Sequence, residues 1–132
     1  MASKADLYFN YLKDEGYVPR VDDDGDVVFK REGGLYFLKA DEEDRNYFQL
    51  VFPAFWKIES DAEEEKARAA INELNANMKV LKLFVVRDNV WATVEMFVDP
   101  IENFQGVFGR SIRLLASGAS KFHAKMRPED FV

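Results

Sequence analysis

The chain has no cysteine and a single histidine, His123. Disulfides, thiolate metal centres and thiol nucleophiles are therefore excluded, and so is a metal site built from several imidazoles. Long apolar runs are missing too: the start, MASKADLYFNYLKDEG, has no hydrophobic stretch behind a basic segment, and no later segment is long enough to cross a bilayer. A cytoplasmic protein without a membrane role is the expectation. Basic residues are in the minority, 18 against 24 acidic, and the net charge of −6 opposes general affinity for nucleic-acid phosphates or anionic lipid. The imbalance is uneven. Residues 1–65 carry 17 acidic and 8 basic side chains, whereas residues 66–132 carry 7 and 10.

What is abundant is apolar and aromatic. With 48% hydrophobic residues and 12 phenylalanines in 132 positions, the chain has the composition of one globular domain spanning residues 1–132. Ser3 followed by Asp6 reads as a helix start, Leu7, Tyr8, Tyr11 and Leu12 form an apolar stripe, and Gly16 stops the helix. Three strand-like runs follow, at 26–32, 35–40 and 46–52, the last closed by Pro53. Ser60 with Glu63 opens a second helix that carries Ala67, Ala70, Ile71 and Leu74 at helical spacing and ends near residues 75–77.

The runs KVLKLFVVR and VWATVEMFV then flank Asp88 and Asn89, a pair suited to a two-residue hairpin turn. With Arg87 facing Val90, alternation puts Leu81, Leu83 and Val85 on one face with Ala92, Val94 and Met96. The other face receives Phe84, Val86, Trp91 and Phe97, with Lys82 directly opposite Glu95. Asp99, Pro100 and Glu102 read as the opening of a long amphipathic helix through Phe104, Phe108, Ile112, Leu115, Phe122 and Met126. Small residues at Gly106, Gly109, Ser117 and Gly118 permit a bend or a close approach. The pattern predicts an α+β fold, an antiparallel sheet with helices, in the order α-β-β-β-α-β-β-α.

Four aspartates around Gly25 in VDDDGD resemble a calcium loop. With Gly25 as sixth residue of such a loop, Asp22 and Asp24 fall at the third and fifth positions, but Arg20 takes the first and Arg31 the twelfth, where oxygen ligands are needed. A tight hairpin turn around Asp24 and Gly25 is the reading that remains, and no metal or other cofactor is expected. DEEDRN at 41–46 reads as a solvated loop, and Gly33 and Gly34 precede a strand and so suit a turn instead of a phosphate cradle. His123 has Ala119, Ser120, Met126 and Arg127 within helical reach and no carboxylate to orient it, so no catalytic residue is assigned. Arg110, Arg113, Lys121, Lys125 and Arg127 are expected to face acids of the first half instead of nucleic acid.

The run from SDAEEEKARAAINELNANMKVLKLFV through VWATVEMFVDP into the long helix resembles the YbjN-like family, small bacterial proteins classed as sensory transduction regulators and similar in fold to type III secretion chaperones. The resemblance covers about residues 3–126. It implies an antiparallel sheet packed on helices, commonly a homodimer, with a binding role and no established reaction. Secretion chaperones of this shape hold an unfolded stretch of a client along exposed apolar grooves. A non-enzymatic protein-binding adaptor acting as a homodimer follows as the expectation, with a protein client and with Phe84, Val86, Trp91 and Phe97 as candidate interface. The alternative is a small-ligand-binding sensory domain with a pocket between the sheet and the C-terminal helix, near Phe104, Gly106, Phe108 and Gly109.

Overall fold

A computed structural model describes residues 2–131. Among these, α1 (Lys4–Asp14) is followed by strands β1 (Arg20–Val21), β2 (Val27–Arg31), β3 (Gly34–Leu38) and β4 (Tyr47–Lys57). Then come α2 (Asp61–Asn77), β5 (Leu81–Val86), β6 (Asn89–Phe97) and α3 (Gln105–Met126), with 3-10 turns at Glu42–Asp44, Ile101–Phe104 and Pro128–Phe131. All strand pairings are antiparallel, in the sheet order β1-β2-β3-β4-β6-β5. The α+β class and the element order expected from the sequence hold, with β1 as a short added edge.

Local chemistry sets the ends. Ser3 Oγ accepts from the Asp6 backbone at 3.0 Å to open α1. Gly16, at φ 96°, closes it: Gly16 N donates to Lys13 O and Tyr17 N to Leu12 O, the paired bonds of a left-handed helix stop. Ser60 Oγ opens α2 in the same way, at 3.1 Å from Glu63 N. The last helix differs from expectation. Pro100 precedes a 3-10 turn tied by Ile101 N to Asn46 Oδ1 at 3.1 Å, and α3 begins only at Gln105.

All three helices lie on one side of the sheet. Their buried residues, among them Tyr8, Leu12, Ala67, Leu74, Phe108, Leu115 and Phe122, join one apolar cluster with Phe104 of the turn before α3 and with Val27, Phe29, Leu38, Phe48, Leu50, Leu83, Ala92 and Val94. The register puts those strand residues on a common face. Aromatic edge-to-face contacts knit α1 to α3 and to the turn before it: Tyr8 meets Phe104 of the turn at 4.8 Å, and Tyr11 meets Phe108 at 5.3 Å. Lys4 is buried in this layer, its Nζ donating to the carbonyls of Asp41, Asp44 and Tyr47. That cation holds α1 against the segment 41–47.

Two details of the strands depart from expectation. Pro53 does not close β4. It sits at a register shift between Phe52 and Trp56, where the ladder to β6 is interrupted, so the missing N–H costs no sheet bond and the strand resumes to Lys57. The hairpin turns at Arg87 and Asp88 instead of Asp88 and Asn89, because Asn89 is drawn into β6 opposite Lys57 and Asp88 O accepts from Ile58 N at 2.7 Å. Lys82 therefore faces Thr93, and Glu95 is its diagonal neighbour.

Candidate interaction surface

The face of the sheet turned away from the helices takes its side chains from alternate strand positions: Phe37, Val51, Thr93 and Lys82 form one row across β3, β4, β6 and β5. Tyr47 with Phe97, Gln49 with Glu95, and Trp91 with Phe84 form the rows beside it. None of these belongs to the apolar cluster that binds the helices, although Val51 and Thr93 at the centre are buried by their neighbours. The four residues singled out as candidate interface all lie here. Phe97 is 81% exposed and Val86 37%, while Phe84 and Trp91 are partly buried. Trp91 is held between Phe84 and Phe37, with ring centroids at 6.3 and 6.4 Å.

A polar seam divides the rings. Glu95 accepts from Thr93 Oγ1 at 2.5 Å and from Tyr47 Oη, and its carboxylate lies 3.0 Å from Lys82 Nζ. Burial alone would raise the Glu95 carboxyl, but these three donors outweigh it and hold it below the usual carboxylate range. Burial and the bond to Glu95 push the Tyr47 hydroxyl up to about 12. The seam keeps one ionised, fully engaged carboxylate among large apolar groups. Such a pattern fixes register between mating surfaces better than it adds affinity.

The edges beside this face differ in length. β1 offers two residues. β5 offers six, but Asn75 on α2 clamps its middle: Nδ2 donates to Leu83 O at 3.0 Å and Oδ1 accepts from Leu83 N at 2.8 Å. One side-chain amide takes the two backbone groups with which another strand would pair.

Of the residues named as candidate pocket, Phe108 and Gly109 line one shallow depression, whereas Phe104 and Gly106 do not border it. Phe104 and Phe108 are core side chains filling the space between the sheet and α3. Gly106 has open space around it, and Gly109, with Arg113 Nη1 3.3 Å from where a Cβ would stand, borders a shallow depression of about 210 Å³ beside Tyr11 and Tyr17. The acidic turn is a three-residue hairpin loop: Gly25 N donates to Asp22 O, Asp22 N to Asp26 O, and Gly25 has φ 85°. Asp22, Asp24 and Asp26 can each bring one oxygen within 4.8 Å of the others. Asp22 Oδ1 already accepts from the backbones of Asp24 and Asp26, and Asp26 from Ala40 N, so two of the three carboxylates are engaged in holding the turn.

Sequence reasoning missed the partner of His123. Asp130, seven residues on, returns through the C-terminal turn to place Oδ2 2.6 Å from His123 Nε2, with both side chains nearly half exposed. It also missed Tyr47 and Phe37, whose place on the outer face follows from the alternation in their strands once the sheet order is known. Of the basic residues on α3, Lys125 pairs with Glu73 of α2 at 2.8 Å, an acid of the second half of the chain, and Arg127 lies over the Trp56 ring at 5.6 Å. Among the described residues no helix is long and apolar enough to cross a membrane.

No curated protein matches the chain. A family model does, over residues 11–107, from the second half of α1 to the start of α3, and that span holds the whole sheet. With the match covering more than half of the chain, this protein belongs to the family described as T3SS (YopN, CesT) and YbjN peptide-binding chaperone 1.

Proposed function

We propose that this protein is a non-enzymatic adaptor that binds protein segments and acts as a homodimer, with the outer sheet face as the surface shared by two copies. The observation that carries the reading is a row of rings on a sheet face that none of the three helices covers, ending in Phe97 at 81% exposure. Family membership supports a peptide client. The carboxylate paired with His123 is nearly half exposed, as is the imidazole, which fits binding better than catalysis.

Magnitudes limit the dimer. Covering one exposed phenylalanine contributes about 1.5–3 kcal/mol, and two copies bring two, against an association cost of about 4–15 kcal/mol. Phe97 alone is not enough, and Phe84, Trp91 and Val86 must be covered with it. Association is then poised so that one charge undoes it. Light scattering on wild type, Trp91→Glu and Phe97→Glu tests this. Wild type is expected at the mass of two chains and both variants at one, with unchanged circular dichroism. Phe97 is exposed enough that its substitution spares the fold even if that of Trp91 does not. A wild-type protein of single-chain mass at every concentration overturns the dimer.

A further inference from the structure

Beyond the shared face, the far end of the molecule holds a second apolar feature. Past its register shift, β4 and the C-terminal half of α3 bound, with the C-terminal turn, a depression of about 320 Å³ lined by Phe52, Phe55, Trp56, Ala119, His123 and Phe131. Its walls are preformed: Phe55 and Trp56 stand edge-on to the buried Phe122 at 5.7 and 5.5 Å, and Phe52 stacks on Phe55 at 5.4 Å. Charged groups lie beyond Trp56, in a neighbouring depression: Arg127 lies over the Trp56 ring, Lys66 Nζ reaches the carbonyl of Met126 at 2.9 Å, Glu63 accepts from Trp56 Nε1, and Glu129 borders them.

The chain's own C-terminal turn sits at the rim of the aromatic depression. Asp130 faces His123 at 2.6 Å, and the Phe131 ring stands edge-on to the same imidazole at 5.2 Å. Neither contact is deep, since Phe131 stays 55% exposed and the His123 and Asp130 side chains are both nearly half exposed. Arg127 N bonds His123 O and Asp130 N bonds Arg127 O, so the turn hangs from the end of α3 without any tie to the sheet through these bonds.

We propose that this groove is a recognition site for a peptide presenting an acidic residue followed by an aromatic one, and that Asp130 and Phe131 occupy its rim as an internal stand-in that the client displaces. The acid answers the imidazole of His123, as Asp130 does, and the aromatic ring answers the aromatic walls, as Phe131 does. The proposal rests on the peptide-binding reading but uses a surface apart from the shared sheet face.

The test uses the full chain and two labelled synthetic peptides, RPEDF, which copies residues 127–131, and RPENA. Anisotropy titrations compare wild type with Asp130→Asn/Phe131→Ala. The double variant should bind RPEDF about tenfold more tightly, the factor for a stand-in that closes the site about nine-tenths of the time. It should bind RPENA far more weakly, and adding His123→Ala should remove the gain. Equal affinity of wild type and double variant, equal affinity for the two peptides, or indifference to His123→Ala each overturns the proposal. So does a double variant that doubles in mass without binding peptide, since the groove then receives another copy. If neither protein binds RPEDF while the Phe97-dependent dimer persists, the groove falls and the adaptor reading stands.

Discussion

At Gly118 α3 packs closely on the sheet: a Cβ built there would lie 2.5 Å from Leu81 Cδ2. Alanine at this position gains about 1 kcal/mol of helix propensity but forces a packed leucine aside, which costs about 1–3 kcal/mol. Gly118→Ala is therefore expected to destabilise by about 1 kcal/mol, seen as a lower urea midpoint with an unchanged slope. Tyrosines give a second prediction. Burial raises Tyr8, Tyr11 and Tyr36, and Tyr47 is pushed up to about 12, against about 10 in the unfolded chain. In that interval the folded chain binds more protons than the unfolded one, so this stability, complete below pH 10, is lost as pH rises toward 12. Denaturation followed from pH 9 to 12 should show the fall, and Tyr47→Phe should flatten part of it.

Among the elements, the hairpin β5–β6 was the most legible and also the most instructive error. Its sequence alternation assigns each side chain to the correct face, and a register displaced by two residues leaves those faces unchanged. The displacement itself was not readable, because Asn89 leaves the turn only to pair with Lys57, a residue beyond the proline that seemed to end β4. Arg87 is then left at φ 56°, a conformation better suited to glycine. Arg87→Gly relieves about 1–2 kcal/mol of left-handed strain against about 0.4–1 kcal/mol of added unfolded-chain entropy, and is expected to stabilise by about 1 kcal/mol, measurable as a higher melting temperature. Helix starts at Ser3 and Ser60 were legible because each cap lies within three residues of its partner. The His123–Asp130 pair and buried Lys4 were not, since both depend on chain reversals that local spacing does not encode.

For the molecule as a whole, the layer arrangement decides what the outer face offers: among the described residues the helices lie on one side only and leave the other without cover from this chain. Under the dimer reading, apparent stability follows mass action. The wild-type melting temperature should climb with protein concentration over a hundredfold range, whereas that of Phe97→Glu should not move. Composition showed a surplus of aromatic rings but not where they would lie. That required the sheet order, in which β6 slips between β4 and β5 and gathers Tyr47, Phe97, Trp91 and Phe84 on one surface.

The amide of Asn75 has a further consequence for growth of any assembly. A sheet with a bare long margin can recruit neighbours sideways without end, and fibres are the usual product. Here that margin is stoppered at Leu83, and the opposite one is only two residues long. Under the dimer reading, self-attachment is thus steered toward flat surfaces meeting like palms, an arrangement that uses up both participants at once and halts at a pair.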